Sequence, residues 1–365
     1  MPNPKQPYNK LPNLPPKQDI ETKAILKACT KAARALAEVK GAAKSLPDPR
    51  ILLITLPLQE AKNSSAIENI ITTTDKLFHA MALDNEKTID PHTKEVLRYR
   101  RAMEEAEKIL NQNEAFLTTS SFEKICTIIR GMEMRVRSTP GTKLVNTKTK
   151  DIIYTPPEGE DLLRNLLRDL EMFINESEES ELDPLIKMAI IHYQFEAIHP
   201  FTDGNGRTGR ILNIVYLMQE KLLDMPILYL SDYLIKNRDD YYKKLNQVTK
   251  KEAWEEWILF MLTAIEKTAW QTAQKIREIE KLFDAKLAEA KVKAPNKYTK
   301  EMLELTFVRP YIRIRNVERE LDISYQTATK YVKEWERANL LSSTKIGHNL
   351  LFVNVELVNL FSEEE

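Results

Sequence analysis

The sequence predicts a mainly α protein that carries one isolated β-hairpin and ends in a small module of helices and strands. Apolar residues recur at helical spacing through most of the 365 residues. Residues 142–155, TKLVNTKTKDIIYT, break that rhythm with β-branched residues on either side of a polar turn. After residue 297, two short helical patterns are followed by a second hairpin pattern.

Composition narrows the function classes. With 42% hydrophobic and 30% charged residues, the chain can bury real cores, and its length suggests two or three domains. Lys plus Arg equals Asp plus Glu at 54 each, so the whole chain does not advertise affinity for nucleic acid or an acidic membrane. The two cysteines, Cys29 and Cys126, lie far apart without metal-type spacing. That argues against a disulfide framework or zinc site and fits a reducing compartment, the cytoplasm. The N-terminus, MPNPKQPYNKLPNLPPKQD, is proline-rich, reads as an extended arm and lacks the apolar stretch of a signal peptide. No apolar run reaches membrane-spanning length, so no membrane partner is expected.

The first helix is marked by Ile20, Ala24, Leu26, Ala28, Ala32, Leu36 and Val39 and stops around Gly41. Further helices are expected near 58–82, 92–113, 121–135, 160–175, 184–197, 206–221 and 237–248, with a long one over 252–290. The long helix carries Trp254, Trp257, Phe260, Ile265 and Trp270 as a core-packing stripe. The 142–155 hairpin sits alone among helices. A lone hairpin is marginally stable, so it is either covered or kept open to pair with another chain. Residues 291–297, KVKAPNK, mark a boundary. Beyond it, Val317–Leu321 and Ser324–Asn339 read as two helices around Asp322–Ile323, and LLSSTKIGHNLLFVN as a hairpin around Gly347. This resembles a winged helix-turn-helix module, with Ser324, Tyr325, Gln326, Thr327 and Lys330 opening its second helix. DNA and a docked protein remain equal candidates for its partner, because Asp322, Glu334 and Glu336 dilute its lysines.

The chemistry concentrates in residues 199–210. Only eight glycines occur in the chain, yet Gly204, Gly206 and Gly209 fall together in IHPFTDGNGRTGRILNIVYLM. Gly204 and Gly206 let the backbone approach a ligand closely, and the helix starting at Ile211 offers free N–H groups that attract anions. Arg207 and Arg210 share the first turn of that helix, where cations gain nothing from the helix dipole and are better explained by an anionic ligand. Asp203 stands where a carboxylate beside polyphosphate holds magnesium. His199, with an ordinary pKa of about 6.5, suits general-base work.

His199-Pro200-Phe201-Thr202-Asp203-Gly204-Asn205-Gly206-Arg207-Thr208-Gly209-Arg210 resembles the Fic motif, H-x-F-x-D/E-G-N-G-R-x-x-R, at every fixed position. The resemblance implies a mainly α Fic helical core and AMP transfer from ATP to a Ser, Thr or Tyr hydroxyl of a target protein. It implies His199 as the base, Asp203 as the Mg2+ ligand, and Gly204, Asn205, Gly206, Arg207, Thr208, Gly209 and Arg210 in nucleotide binding. Arg207 would contact the inner phosphates and Arg210 the terminal one. Doc relatives that phosphorylate carry a lysine near the second glycine, whereas this chain keeps Gly206. The hairpin then reads as a flap holding the target's extended segment by strand addition, with Ile152, Ile153 and Tyr154 as contributors. Asp239-Asp240-Tyr241-Tyr242 with Leu245 resembles, more loosely, the helix that closes over the adenine.

Ser64-Ser65-Ala66-Ile67-Glu68-Asn69 matches the same family's inhibitory pattern S/T-x-x-x-E-G/N. In a helix Ser64 and Glu68 share a face. The resemblance implies that Glu68 pairs with Arg210 and withholds it from the terminal phosphate of ATP, with Ser64 and Asn69 completing the motif. The domain reading is therefore 1–115 for an N-terminal helical region with this motif, 116–290 for the catalytic core and 298–365 for the winged-helix module. Self-modification and a homodimer are compatible with the sequence. Two alternatives stay open: removal of AMP at the same site, and a regulator that binds DNA or a partner and uses ATP as a signal. His192 and Glu196 lie at helical spacing from His199, but His192 reads as packing; His79, His92 and His348 belong to no constellation.

Overall fold

The computed structural model describes residues 3–82, 89–112, 116–145, 150–175, 182–346 and 349–362. The middle of the expected flap turn, residues 146–149, and the tip of the second hairpin, Gly347 and His348, lie outside these. The fold is mainly α, as the sequence predicts.

At its centre stand α7 (Pro184–Ile198) and α8 (Asn205–Gln219), joined by the glycine-rich loop. Both are buried nearly all round: in α7, from Leu185 to Ile198, only Glu196 is not buried, and in α8 even Asn205, Arg207, Arg210 and Asn213 are. A helix with that pattern must be enclosed on every side. α4 (Pro91–Gln112), α5 (Thr119–Arg130) and α2 (Arg50–Ile67) close around α8, while α6 (Glu160–Asn175) covers α7. α1 (Lys23–Ala43) runs along the 40-residue α11 (Trp254–Lys293), which also supports α7. Trp257 is fully buried there, donates Nε1–H to the Ala189 carbonyl at 2.8 Å and stacks on His192 with ring centroids 6.0 Å apart.

The expected 58–82 helix is two helices, α2 and α3 (Thr74–Ala82). α2 reaches back to Arg50 through Pro57, which gives up one backbone hydrogen bond but is buried between Leu56 and Leu58. It stops because Asn69 turns left-handed, φ 62°, a conformation asparagine tolerates better than most residues. Likewise the helix expected to run to 135 ends at Arg130, where Gly131 takes φ 67° as its cap. The short α9 (Ser231–Lys236) precedes α10 (Arg238–Lys251) and was too brief to show a period.

The hairpin exists as β1 (Leu144–Val145) and β2 (Ile152–Tyr154), antiparallel, with Leu144 opposite Tyr154. The proline-rich arm is tied to its far end. Tyr8 N–H donates to the Thr155 carbonyl at 3.0 Å, Thr155 Oγ1 donates to the Pro4 carbonyl at 2.6 Å, and Gln194 Nε2 donates to the Pro12 carbonyl at 2.9 Å.

The C-terminal unit runs α12 (Thr299–Val308), β3 (Tyr311–Ile312), α13 (Ile314–Glu320), α14 (Tyr325–Arg337), β4 (Ser342–Ile346), β5 (Asn349–Val353) and α15 (Val355–Ser362). Its strands form one antiparallel sheet in the order β3-β5-β4. The two helices lie where the sequence puts them, within three residues at their ends; the third strand and α15 were not anticipated. Phe78 of α3 stacks on Tyr311 with centroids 6.2 Å apart, and Arg50 pairs with Glu320 at 2.8 Å, so this unit rests on α3 and on α2, the helix that carries Ser64 and is capped by Glu68.

Replacing Trp257 with Ala should lower stability by about 3–5 kcal/mol, the usual cost of deleting a large buried aromatic. Urea denaturation checks this, and a loss under about 1 kcal/mol would mean that α7 does not depend on α11 as described.

Candidate active site

His199 ends α7 in a left-handed conformation, φ 50° and ψ 59°, and Gly204 opens α8 with φ 86°. Between them the chain reverses tightly, held from within by Asn205. Its Oδ1 accepts from the Phe201 N–H and its Nδ2 donates to the Phe201 carbonyl, both at 2.8 Å. Thr208 Oγ1 donates to the Gly204 carbonyl at 2.9 Å, and Cys126 Sγ lies 3.3 Å from the Asp203 carbonyl. The first turn of α8 leaves its N–H groups without intrahelical partners, and the helix dipole makes that end attractive to an anion.

An anion is in place, and it comes from the chain itself. Glu68, at the C-terminal end of α2, sits over this turn: a Cβ added at Gly206 would lie 2.5 Å from Glu68 Oε1 and 3.0 Å from Arg210 Nη1. Only glycine lets the carboxylate descend so far. Arg210 is 1% exposed; its Nη2 donates to Glu68 Oε1 at 2.9 Å and to the Ser64 carbonyl at 3.0 Å, and its Nε donates to Ser64 Oγ at 2.7 Å. Burial drives the Glu68 carboxyl upward, but Arg210, aided by Arg207 and Arg238, outweighs it and holds the group below its ordinary value. Ser64, Glu68 and Arg210 therefore meet as the motif suggests.

The second arginine is occupied too. Arg207, 2% exposed, donates from Nη1 to Glu95 Oε1 of α4 at 2.5 Å. Arg130 of α5 reaches the same oxygen at 3.2 Å and Asp203 Oδ2 at 3.0 Å, while Arg207 Nη2 lies 3.8 Å from Asp203 Oδ1. Asp203 remains about half exposed at the mouth. Among the described residues no three His, Cys, Asp or Glu side chains gather as a metal site. Asp203 alone fits a magnesium ion that takes its other ligands from phosphate and water, provided Arg130 yields.

His199 is kept neutral. Burial first, then the Arg137 guanidinium, pull its imidazole down to about 4, against the Glu196 backbone and the Glu68 and Asp203 carboxylates. A ring unprotonated at pH 7 is in the form that can accept a proton.

Several side chains from the sequence reading face elsewhere. Thr208 is fully buried and braces the loop, and Gly209 lies beneath it, where a Cβ would come within 2.7 Å of Glu196 Oε1. Tyr241 is buried with its hydroxyl 2.8 Å from His192 Nε2, so Tyr242, 41% exposed, is the ring open to a ligand. His192 takes an Asn213 amide on Nδ1 at 3.1 Å, and burial keeps it neutral, pulling it down to about 3. On the flap, Ile152 and Ile153 are half-buried, but Tyr154 turns inward and donates to the Ala197 carbonyl at 2.8 Å. Asn69 Oδ1 accepts from Arg238 Nη1 at 3.1 Å.

Sequence reasoning missed Glu95, Arg130 and Arg137, which come from elements distant in the chain and carry no motif. It also missed Glu60, buried in α2, which accepts from Tyr99 Oη at 3.1 Å and Ser231 N–H at 2.9 Å and so fixes the body of the helix that presents Glu68.

This loop and its enclosing helices define a protein built around an anion site at a helix N-terminus. Residues 26–108 match the Fic/DOC family N-terminal model, 119–217 the Fic/DOC family model, and 282–357 that of the "protein adenylyltransferase SoFic-like, C-terminal domain". The chain belongs to the Fic/DOC family. Protein adenylyltransferase Fic of Nematostella vectensis is 33% identical over 115 residues, 32% of this chain and 25% of that protein. Protein adenylyltransferase fic-1 of Caenorhabditis elegans is 33% identical over 93 residues, 26% and 17% of the two chains. The matches thus span about a quarter or less of these relatives. In fold, a Fic family protein from Desulfovibrio desulfuricans G20 superposes with TM-score 0.58 at 18% identity, covering 93% of this chain and 98% of its own. C. elegans Fic-1 (residues 134–508) gives 0.53 at 18% identity, over 71% and 74%.

Because Glu68 is held below its ordinary pKa, its pairing stabilises the fold above the unfolded value of about 4.3 and is lost as pH falls through the folded one. Wild type should melt higher than Glu68→Gln at pH 7, with the gap closing on acidification below about pH 4. Equal melting at pH 7 would deny the pair any energetic part.

Proposed function

We propose that this protein is a protein adenylyltransferase, moving AMP from ATP to a Ser, Thr or Tyr hydroxyl of a target protein and held in check by Glu68. The observation that carries the reading is a carboxylate seated on Gly206 and Arg210 at the N-terminus of α8, which marks that turn as an anion site that Glu68 and a phosphate would compete for.

In the reaction, neutral His199 accepts the proton of the target hydroxyl as its oxygen bonds to the α-phosphorus of ATP. The bond from that phosphorus to the bridging oxygen breaks and pyrophosphate leaves. Arg207 holds the inner phosphates once Glu95 shares it, and Arg210 the terminal one once Glu68 withdraws. Asp203 would hold a magnesium ion that neutralises part of the triphosphate charge. Tyr242 would lie against the adenine ring, and Ile152 and Ile153 present the strand edge to an extended segment of the target. A partly desolvated Glu–Arg contact contributes about 1.5–3 kcal/mol, a brake of roughly ten- to a hundredfold.

We divide the chain as 1–115, 116–290 and 298–365 and read the last part as a winged helix. Its helix–strand–helix–helix–strand–strand order supports this, and Tyr325 and Lys330 stand exposed on α14 for DNA or a protein. Two buried free cysteines suit the cytoplasm, and among the described residues no helix is long and apolar enough to cross a membrane. The charge of Glu68, felt at His199, also favours a second reading in which Glu68 orients water to remove AMP from a modified protein.

Intact-protein mass spectrometry after incubation with ATP and magnesium tests the assignment. Glu68→Gly should gain AMP mass, by self-modification or on added protein, at least tenfold more than wild type. Glu68→Gly/His199→Ala should gain none. An adduct that survives loss of His199 removes it as the base; no adduct in Glu68→Gly, with AMP released from a modified protein by wild type, selects the second reading.

A further inference from the structure

The last carbonyls of a helix have no intrahelical donors, so something else must satisfy them. At the end of α7 the donors come from the two flanks of the flap. Tyr154 Oη, on β2, donates to the Ala197 carbonyl at 2.8 Å. Arg137, in the segment leading to β1, supplies the rest: Nη2 lies 3.4 Å from the Ile198 carbonyl, Nε donates to the His199 carbonyl at 2.8 Å, and the backbone N–H donates to the Pro200 carbonyl at 2.9 Å. Four successive carbonyls around His199 are thereby taken by flap residues. Arg137 Nη2 also donates to the Pro157 carbonyl at 2.5 Å, on the far side of the hairpin, so one guanidinium ties together both strand flanks and the base. Arg137 and Tyr154 are 3% and 9% exposed, which makes these interior contacts rather than surface chance.

The arrangement explains two oddities. His199 holds a left-handed backbone that non-glycine residues avoid and keep only where their surroundings over-determine it. Arginine, whose rigid fork carries five N–H donors, is the side chain able to meet several carbonyls at once. Tyr154, expected to face the target, instead faces the last turn of α7, which ends in the base.

Resting on the reading of His199 as the base, we propose that Arg137 and Tyr154 are positioning residues that lock His199 to the flap, so that the strand receiving the target and the group deprotonating it move as one body. Neither side chain contacts Ser64, Glu68, Arg207 or Arg210 in the hydrogen bonds described, so nucleotide binding should be separable from placement of the base.

The test uses the full chain with Glu68→Gly, adding Tyr154→Phe, Arg137→Gln or Arg137→Lys. Tyr154→Phe, which keeps the ring and removes one hydrogen bond, should lower kcat about tenfold with the Kd for ATP unchanged; Arg137→Gln should lower it about a hundredfold, the scale expected when a reacting group is misplaced by about 1 Å. Arg137→Lys should recover part of that loss. The His199 ring signal, followed by NMR in histidine-labelled protein, should shift or broaden in Tyr154→Phe while the melting temperature holds. Unchanged kcat in folded Tyr154→Phe and Arg137→Gln, or a matching rise in the Kd for ATP, overturns the proposal. If Glu68→Gly transfers no AMP, the adenylyl-transfer reading fails, and the ring signal alone decides: movement in Tyr154→Phe supports the lock, and no movement in either variant refutes it.

Discussion

A negative charge at the N-terminus of α8 is the constraint on which the rest depends. The dipole, the free N–H groups of the first turn and the buried Arg210 together make a site that is unstable empty, because a fully buried guanidinium needs a partner. Glu68 supplies that partner from α2, and Glu95 does the same for Arg207 from α4. The enclosing helices are placed so that both carboxylates arrive without a ligand. Gly206, lacking a side chain, is what allows the approach.

Much of this was legible in the chain. Residues 199–210 could be read because loop geometry needs particular residues in consecutive places: Gly204 for its φ of 86°, Asn205 to close on Phe201, two arginines one helical turn apart. The central helices were legible from their apolar runs, and Ser64 to Glu68 from one turn of helix. Less visible was anything decided by distant partners. Glu95 meets Arg207 across 112 residues of sequence, and nothing in the pattern of α4 marks it. Arg137 precedes the hairpin with no periodic signal. Tyr154 looked like a strand residue facing outward because alternation fixes which face a residue is on but not which face is buried. Pro57 hid the first turns of α2, since local propensity argued against a helix that tertiary burial sustains.

The electrostatics and the packing describe one design. Partial burial and then the Arg137 charge both push His199 toward its neutral form, and the same Arg137 fixes its backbone. Glu68 is charged because Arg210 faces it, and Arg210 tolerates burial because Glu68 and Ser64 satisfy it. Each group holds the protonation state its neighbour requires, so single substitutions here should propagate farther than their size suggests.

The position of Glu68 along α2 carries a further consequence. The body of that helix is anchored by Glu60, which is tied to Tyr99 and Ser231, whereas Glu68 caps its C-terminal end, just past Ile67, and is followed by the left-handed Asn69. Helix ends fray while their middles do not. Because Ile67 and Ser64 of the last turn are themselves fully buried, withdrawal of the carboxylate is a rearrangement of Glu68 and its left-handed neighbour beyond the end of the helix, and the anchored body of α2 stays where it is while the protein changes state.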